Sequence, residues 1–154
     1  MEKRGKGVLA CLCLILLALP VRAETVVIAN VQYADISLTL EQLKKIYLGK
    51  LTRLPNGSLV QPLDQPDGAE RDAFYLTLTG KSSAQIKTYW TRQRFTGLGL
   101  PPQEANSAEE VVKLVSQDPQ HIGYVDRAAV HGDSVIVLLS MNGNGVEDSI
   151  AVYK

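Results

Sequence analysis

The stretch best suited to chemistry is Gln61-Pro62-Leu63-Asp64-Gln65-Pro66-Asp67-Gly68-Ala69-Glu70-Arg71-Asp72-Ala73-Phe74. It reads as a short strand, a tight loop, and a helix that opens through Asp67-Gly68-Ala69. The start of a helix carries unpaired N–H groups and about half a positive charge, and small residues let an anion approach the backbone. Arg71 adds a planar guanidinium one turn in, suited to bidentate contact with phosphate or carboxylate. Gly68, Ala69 and Arg71 are therefore candidate oxyanion ligands. The same residues also support a plainer reading, in which Asp67 caps the helix, Glu70 completes a capping box, and Arg71 is solvated. A Glu70 carboxylate at the entrance would repel an anion unless it points away.

Other chemistries find less support. The chain has no Gly-x-Ser-x-Gly elbow, no His-Glu-x-x-His, no P-loop and no Gly-x-Gly-x-x-Gly. His121 and His131 are the two imidazoles, and with Asp126 they lack the compact spacing of a metal site. The carboxylate pairs Glu109/Glu110 and Glu147/Asp148 are adjacent in sequence, and the first pair suits the start of a helix. No catalytic residue, metal or cofactor is expected, and the chain does not read as an enzyme.

The elements that must position the 67–71 loop follow from capping and periodicity. Thr25 to Ala29 is a β-branched run that predicts a buried strand. Thr39 with Gln42 opens a helix bearing Leu40, Leu43, Ile46 and Tyr47 on one face, with Gly49 as its stop. Pro55-Asn56-Gly57 is a turn, and Leu59 to Leu63 is the next strand. Asp67 with Glu70 opens a helix through about Thr79, closed by Gly80. Ser82 with Gln85 opens another, with Ile86, Tyr89, Trp90 and Phe95 on its apolar side and Lys87, Arg92 and Arg94 on the wet side. Phe74 and Leu78, one turn apart, read as core. After a Gly/Pro-rich loop from Thr96 to Asn106, Ser107 with Glu110 opens a helix carrying Val111, Leu114 and Val115. Ile122 to Val125 is a short strand, and Ser134 to Ser140 with Val146 to Tyr153 flank Asn142-Gly143-Asn144-Gly145 as a terminal hairpin. No repeat or linker divides this pattern, so one α/β or α+β domain is expected.

Residues 1–23 stand apart. Lys3, Arg4 and Lys6 precede an apolar run from Val8 to Pro20, and Val21-Arg22-Ala23 supplies a small-residue cleavage pattern. That is the form of a signal peptide cut after Ala23, and the run falls short of the roughly 20 residues that span a bilayer. Cys11 and Cys13 leave with it, so disulfides and thiol chemistry are excluded from the exported chain. Residues 24–154 hold 12 basic and 15 acidic residues, a net charge of −3, which makes nucleic acid a poor partner. Charge is uneven: residues 44–94 carry nine basic and four acidic groups, while residues 95–154 sum to −5. The middle segment could draw an anion, or it could simply be solvated helix face.

A resemblance narrows the choice. Leu43-Lys44-Lys45-Ile46-Tyr47-Leu48-Gly49-Lys50-Leu51-Thr52, with Pro55-Asn56-Gly57 behind it, resembles a helix and turn of periplasmic phosphate-binding proteins of ABC transporters. The run Asp67 to Phe74 is similar to that family's Asp-Gly-Ser-Gly-Thr ligand loop. Tyr89-Trp90, Phe95-Thr96-Gly97 and His121-Ile122-Gly123-Tyr124-Val125 follow in the same order. The resemblance implies an α/β fold, a type II periplasmic-binding-protein-like single lobe over residues 24–154 with a central mixed sheet and flanking helices, and places Asp67, Gly68, Ala69 and Arg71 at ligand-loop positions. An Asp there suits a protonated phosphate, whose O–H can donate to it. Ala69 and Glu70 stand where the family has Ser and Thr hydroxyls, Leu54 where it has Trp, and most of its first lobe has no counterpart. Inorganic phosphate or a similar oxyanion, bound weakly or with help, is the expected ligand, and a membrane transporter or sensor the expected partner. The alternative is a periplasmic interaction or sensory module that keeps the fold and has lost solute binding. The oligomeric state is left open.

Overall fold

The computed structural model of the chain describes residues 24–142 and 145–147. The expected signal peptide and residues 148–154 of the expected hairpin lie outside the described residues. In chain order the elements are β1 (Thr25–Asn30), α1 (Leu40–Tyr47), β2 (Gln61–Asp64), α2 (Ala69–Thr79) and α3 (Ser83–Phe95). They continue with β3 (Gln103–Glu104), α4 (Ala108–Gln117), β4 (His121–Asp126), β5 (Val135–Asn142) and β6 (Gly145–Glu147).

The strands form one sheet in the order β3-β2-β4-β1-β5-β6. β2 pairs in parallel with both β3 and β4, whereas β1 runs antiparallel to β4 and β5. The sheet is therefore mixed, as expected. Strand β1 is buried on both faces. Val27 and Ala29 face the core under α1, α2 and α3, and Val26 and Ile28 face the core under α4. The period-two alternation of a strand divides its residues in this way. On β4, Gly123 lets α4 come close: a Cβ there would lie 2.3 Å from Val111 Cγ1.

Helix starts follow the sequence closely where a capping box exists. Thr39 with Gln42 and Ser82 with Gln85 form reciprocal boxes, and Ser107 caps α4. Glu110 turns instead to the Asn106 backbone N–H, 2.6 Å away. Helix α2 departs from expectation. It starts at Ala69, its N-cap is Gly68, and no side chain caps it. Asp67 does not cap because its carboxylate is held by Lys87 and Arg71. Gly80 closes the helix in the left-handed conformation, as predicted.

Phe95 is a second correction. It is 92% exposed, while Trp90 and Ile86 are buried. Nine residues at about 100° each turn Phe95 to the side of the helix opposite Ile86. The loop after α3 also hides a two-residue strand, β3, too short to show a period. Strand β2 begins two residues later than Leu59, which instead bridges Arg53 across the Pro55-Asn56-Gly57 turn. The short aromatic and aliphatic side chains at predicted core positions, Leu43, Ile46, Phe74, Leu78, Val111 and Val115, are all buried.

Candidate functional site

Strand β2 has β3 on one side and β4 on the other, each reached through a helical crossover. The chain therefore switches direction at β2, and the carboxyl ends of strands at such a point form a crevice for ligands. The loop leaving β2 leads to the start of α2. The loop leaving β3 leads to the start of α4, and the two are tied by a bond from Ala105 N–H to the Asp64 carbonyl at 2.9 Å. Two helix N-termini thus flank one strand end.

Their electrostatics differ. The start of α4 is filled by its own chain, through the Ser107 hydroxyl on the Glu110 N–H and Glu110 on Asn106. Hydrogen bonds to backbone and Ser107 or Asn106 hold the Glu109 and Glu110 carboxyls below the usual range. The start of α2 has no such side-chain cap, and a Cβ added at Gly68 would meet nothing within 4 Å. That end is open to an approaching anion.

Beneath the open end lies a buried polar group that sequence reading did not anticipate. Asp64, 5% exposed, accepts from Arg71 Nε at 3.1 Å, from the Tyr75 hydroxyl at 2.9 Å and from the Tyr124 hydroxyl at 2.6 Å. Its own Gln65 N–H donates at 2.9 Å, and Arg71 Nη2 lies 3.0 Å from Oδ2. Gln65 Nε2 bonds the Tyr124 carbonyl at 2.8 Å, pinning the loop to β4. Phe74 stacks on Tyr124 with ring centroids 3.6 Å apart, and the Tyr47 hydroxyl donates to the Leu63 carbonyl at 3.0 Å. Burial, with the negative charge of Asp64, pushes the Tyr75 and Tyr124 phenols far above their usual range, and burial does the same to Tyr47. These groups stay protonated and donate.

Arg71 is 7% exposed and sits over the Tyr75 ring, 4.9 Å from its centroid. Burial works against its charge, but Asp64 more than offsets that and holds it protonated. Its Nη1 also reaches Asp67 at 3.3 Å. The structure thus brings Asp67, Gly68, Ala69 and Arg71 together at one strand end, with Arg71 turned inward to carboxylates. Asp67 is exposed, bridges Arg71 and Lys87, and is held below the usual carboxyl range chiefly by the Lys87 hydrogen bond. Asp72 leaves the loop and accepts from the Ser83 hydroxyl of α3. Glu70 Oε1 is buried without a hydrogen-bond partner. Asp64, Asp67 and Glu70 against Arg71 and Lys87 leave the loop with one excess negative charge.

The sequence signal that could have found the hidden frame was the placement of Asp64 at a strand end, seven residues before Arg71 and eleven before Tyr75. That spacing puts both on the inner face of the following helix. Tyr124 could not be found this way, because it comes from a strand sixty residues on. His121, Asp126 and His131 form no metal group: among the described residues no cluster of three metal-ligating side chains exists. His121 instead lies 3.9 Å from Asp118.

The fold is similar to that of an ABC-type phosphate transport receptor from Vibrio cholerae, with a TM-score of 0.56 and 20% identity over 75% of this chain and 46% of that one. It is equally similar to a phosphate ABC-transporter substrate-binding protein from Clostridium perfringens, solved with bound phosphate. There the TM-score is 0.56 and the identity 24%, over 75% of this chain and 44% of that one. The chain thus has a phosphate-binding-protein-like fold and spans less than half the length of either neighbour. No protein-family profile and no curated protein matches it.

Proposed function

We propose that the chain is an exported, phosphate-binding-protein-like domain that takes phosphate or a similar oxyanion weakly at the β2–α2 loop. The observation that carries this reading is the uncapped, sterically open start of α2 at the carboxyl edge of the sheet, framed by the buried Asp64–Arg71 pair. Gly68 and Ala69 offer backbone N–H groups, Asp67 accepts the hydrogen of a protonated phosphate, and Arg71 holds the loop from beneath. Lys87 supplies a nearby exposed cation.

Strength follows from charge. Three well-made bonds to an anion contribute roughly 1.5–3 kcal/mol each, and association costs offset several kcal/mol of that. With one excess negative charge at the loop, binding falls near the millimolar scale, about 4 kcal/mol. A second copy, or a membrane transporter or sensor in contact with the domain, would supply the opposite wall. The leader at residues 1–23 fits export to the periplasm, cut after Ala23.

The test is calorimetric titration of the exported chain with phosphate at low salt, with sulfate as competitor. Glu70→Thr and Ala69→Ser restore hydroxyls and remove a charge, so together they should tighten phosphate by about tenfold or more. Saturable heat that sharpens in the double variant supports the site. A folded chain with no heat in either form up to about 10 mM overturns it. The inward turn of Arg71 favours a second reading, an interaction module without solute binding, which that silent outcome would support.

A further inference from the structure

Helix α3 ends in a protruding apolar tip. Phe95 is 92% exposed, and Leu98 and Leu100 are each 74% exposed. Three bulky side chains within six residues, standing this far out, differ from the scattered surface leucine of any protein. The tip is not a loose loop. Thr96 N–H bonds the Arg92 carbonyl at 3.0 Å, Gly97 N–H the Arg94 carbonyl at 3.2 Å, and Leu98 N–H the Gln93 carbonyl at 2.9 Å. Gly97 takes the left-handed conformation that this reversal requires, with φ +70°. Behind it Trp90 fills the space between Gly99 and Gly49. The side chains are thus presented by a fixed frame.

Charge at the tip is of one sign. From Ala73 to Gln103 the sequence holds Lys81, Lys87, Arg92 and Arg94 and no acidic residue. Arg92 and Arg94 are exposed and form no ion pair among the described residues. The chain after residue 23 is otherwise acidic, so this segment is opposite in charge to the rest.

We propose that the Phe95–Leu100 tip is a docking element for an anionic lipid surface, with Phe95, Leu98 and Leu100 entering the headgroup–acyl boundary and Arg92 and Arg94 meeting lipid phosphates. Protruding apolar groups flanked by arginines have the chemistry of interfacial insertion. A symmetric contact with a second copy would set Arg92 and Arg94 against their own counterparts without an acid to separate them. The tip rests on no feature of the β2–α2 loop and stands whether or not phosphate binds there.

Trp90 is the sole tryptophan and lies 3.7 Å from the Cβ position of Gly99, so its fluorescence reads the tip and not the leader. The full chain is mixed with phosphatidylglycerol–phosphatidylcholine vesicles carrying brominated acyl chains, and with phosphatidylcholine vesicles alone. Quenching of Trp90 is expected on the anionic vesicles and should fade at high salt. Phe95→Ser with Leu98→Ser should weaken it by at least about thirtyfold in lipid concentration, and Arg92→Gln with Arg94→Gln by about tenfold. All four positions are exposed, so the variants should keep wild-type circular dichroism and melting. Absence of quenching on anionic vesicles, or quenching unchanged in the serine variant, overturns the proposal. Silence on vesicles would turn attention to an acidic protein surface.

Discussion

Replacing Arg71 by methionine keeps an unbranched apolar stem and removes the cation that faces Asp64. Asp64 would keep three donors, the Tyr75 and Tyr124 hydroxyls and the Gln65 N–H, but would lose the charge-assisted contacts at 3.0 and 3.1 Å. Removing one partner of a buried ion pair costs about 3–5 kcal/mol, because the remaining charge stays desolvated. The three surviving hydrogen bonds place this case near the lower figure. For a domain of this size, each kcal/mol corresponds to roughly 4 °C, so the midpoint should fall by about 12 °C. Asp64→Asn in the same background tests the cause. The asparagine can still accept from one tyrosine, and the double variant should be less damaged than the singles imply, with a coupling of about 2 kcal/mol. Thermal and urea unfolding of the four proteins complete the cycle. A loss below about 1 kcal/mol for Arg71→Met, or strict additivity, would refute the view that the pair is the frame of the loop. Because Arg71 is part of that frame, an alanine at this position would confuse loss of ligand contact with loss of the loop. Glu70 and Ala69 are the cleaner positions for testing binding.

Other expectations concern the same core. Tyr47, Tyr75 and Tyr124 have phenols raised in the folded state, so the fold holds protons that the unfolded chain releases in the ordinary tyrosine range. Their contribution is therefore present below about pH 10 and lost above it, at up to about 4 kcal/mol per pH unit for three groups, which urea midpoints between about pH 9 and pH 11 would measure. A tyrosinate absorbance titration that shows full ionisation of all six tyrosines before unfolding would contradict this. Gly123→Ala sets a Cβ 2.3 Å from Val111 Cγ1 and should cost about 1–3 kcal/mol, with Val111→Ala restoring part of it in chemical denaturation. Ser82→Ala removes the hydroxyl that caps Gln85 N–H, while the backbone N–H of residue 82 still donates to Gln85 Oε1, and should cost about 1 kcal/mol while leaving Asp67 and Lys87 in place.

Much of the architecture was legible in local chemistry. Capping boxes at Thr39 and Ser82 act within four residues, so their helices begin where the residues say they should. Apolar runs such as Val26 to Ala29 and Ile122 to Val125 are buried, as their composition implies, and the order of motifs along the chain resembles that of phosphate-binding proteins. What failed locally failed for a tertiary reason. Asp67 has the residue type of an N-cap, but Lys87 from the next helix and Arg71 from one turn on draw its carboxylate away, leaving α2 uncapped. Phe95 is apolar, but its phase on α3 sets it opposite the core, and composition cannot report phase.

The sequence alone determined the helices and the longer strands, the burial of β1, and a loop of small and charged residues ahead of α2. Those depend on propensity, periodicity and short-range hydrogen bonds. Only the tertiary structure decided what Arg71 does. Pairing of β2 with β4 brings Tyr124 beside Asp64, sixty residues apart, and buries a carboxylate that must then recruit a cation. Because a buried charge is costly unless it is paired, the guanidinium turns inward, and the helix end above it is left without a side-chain cap.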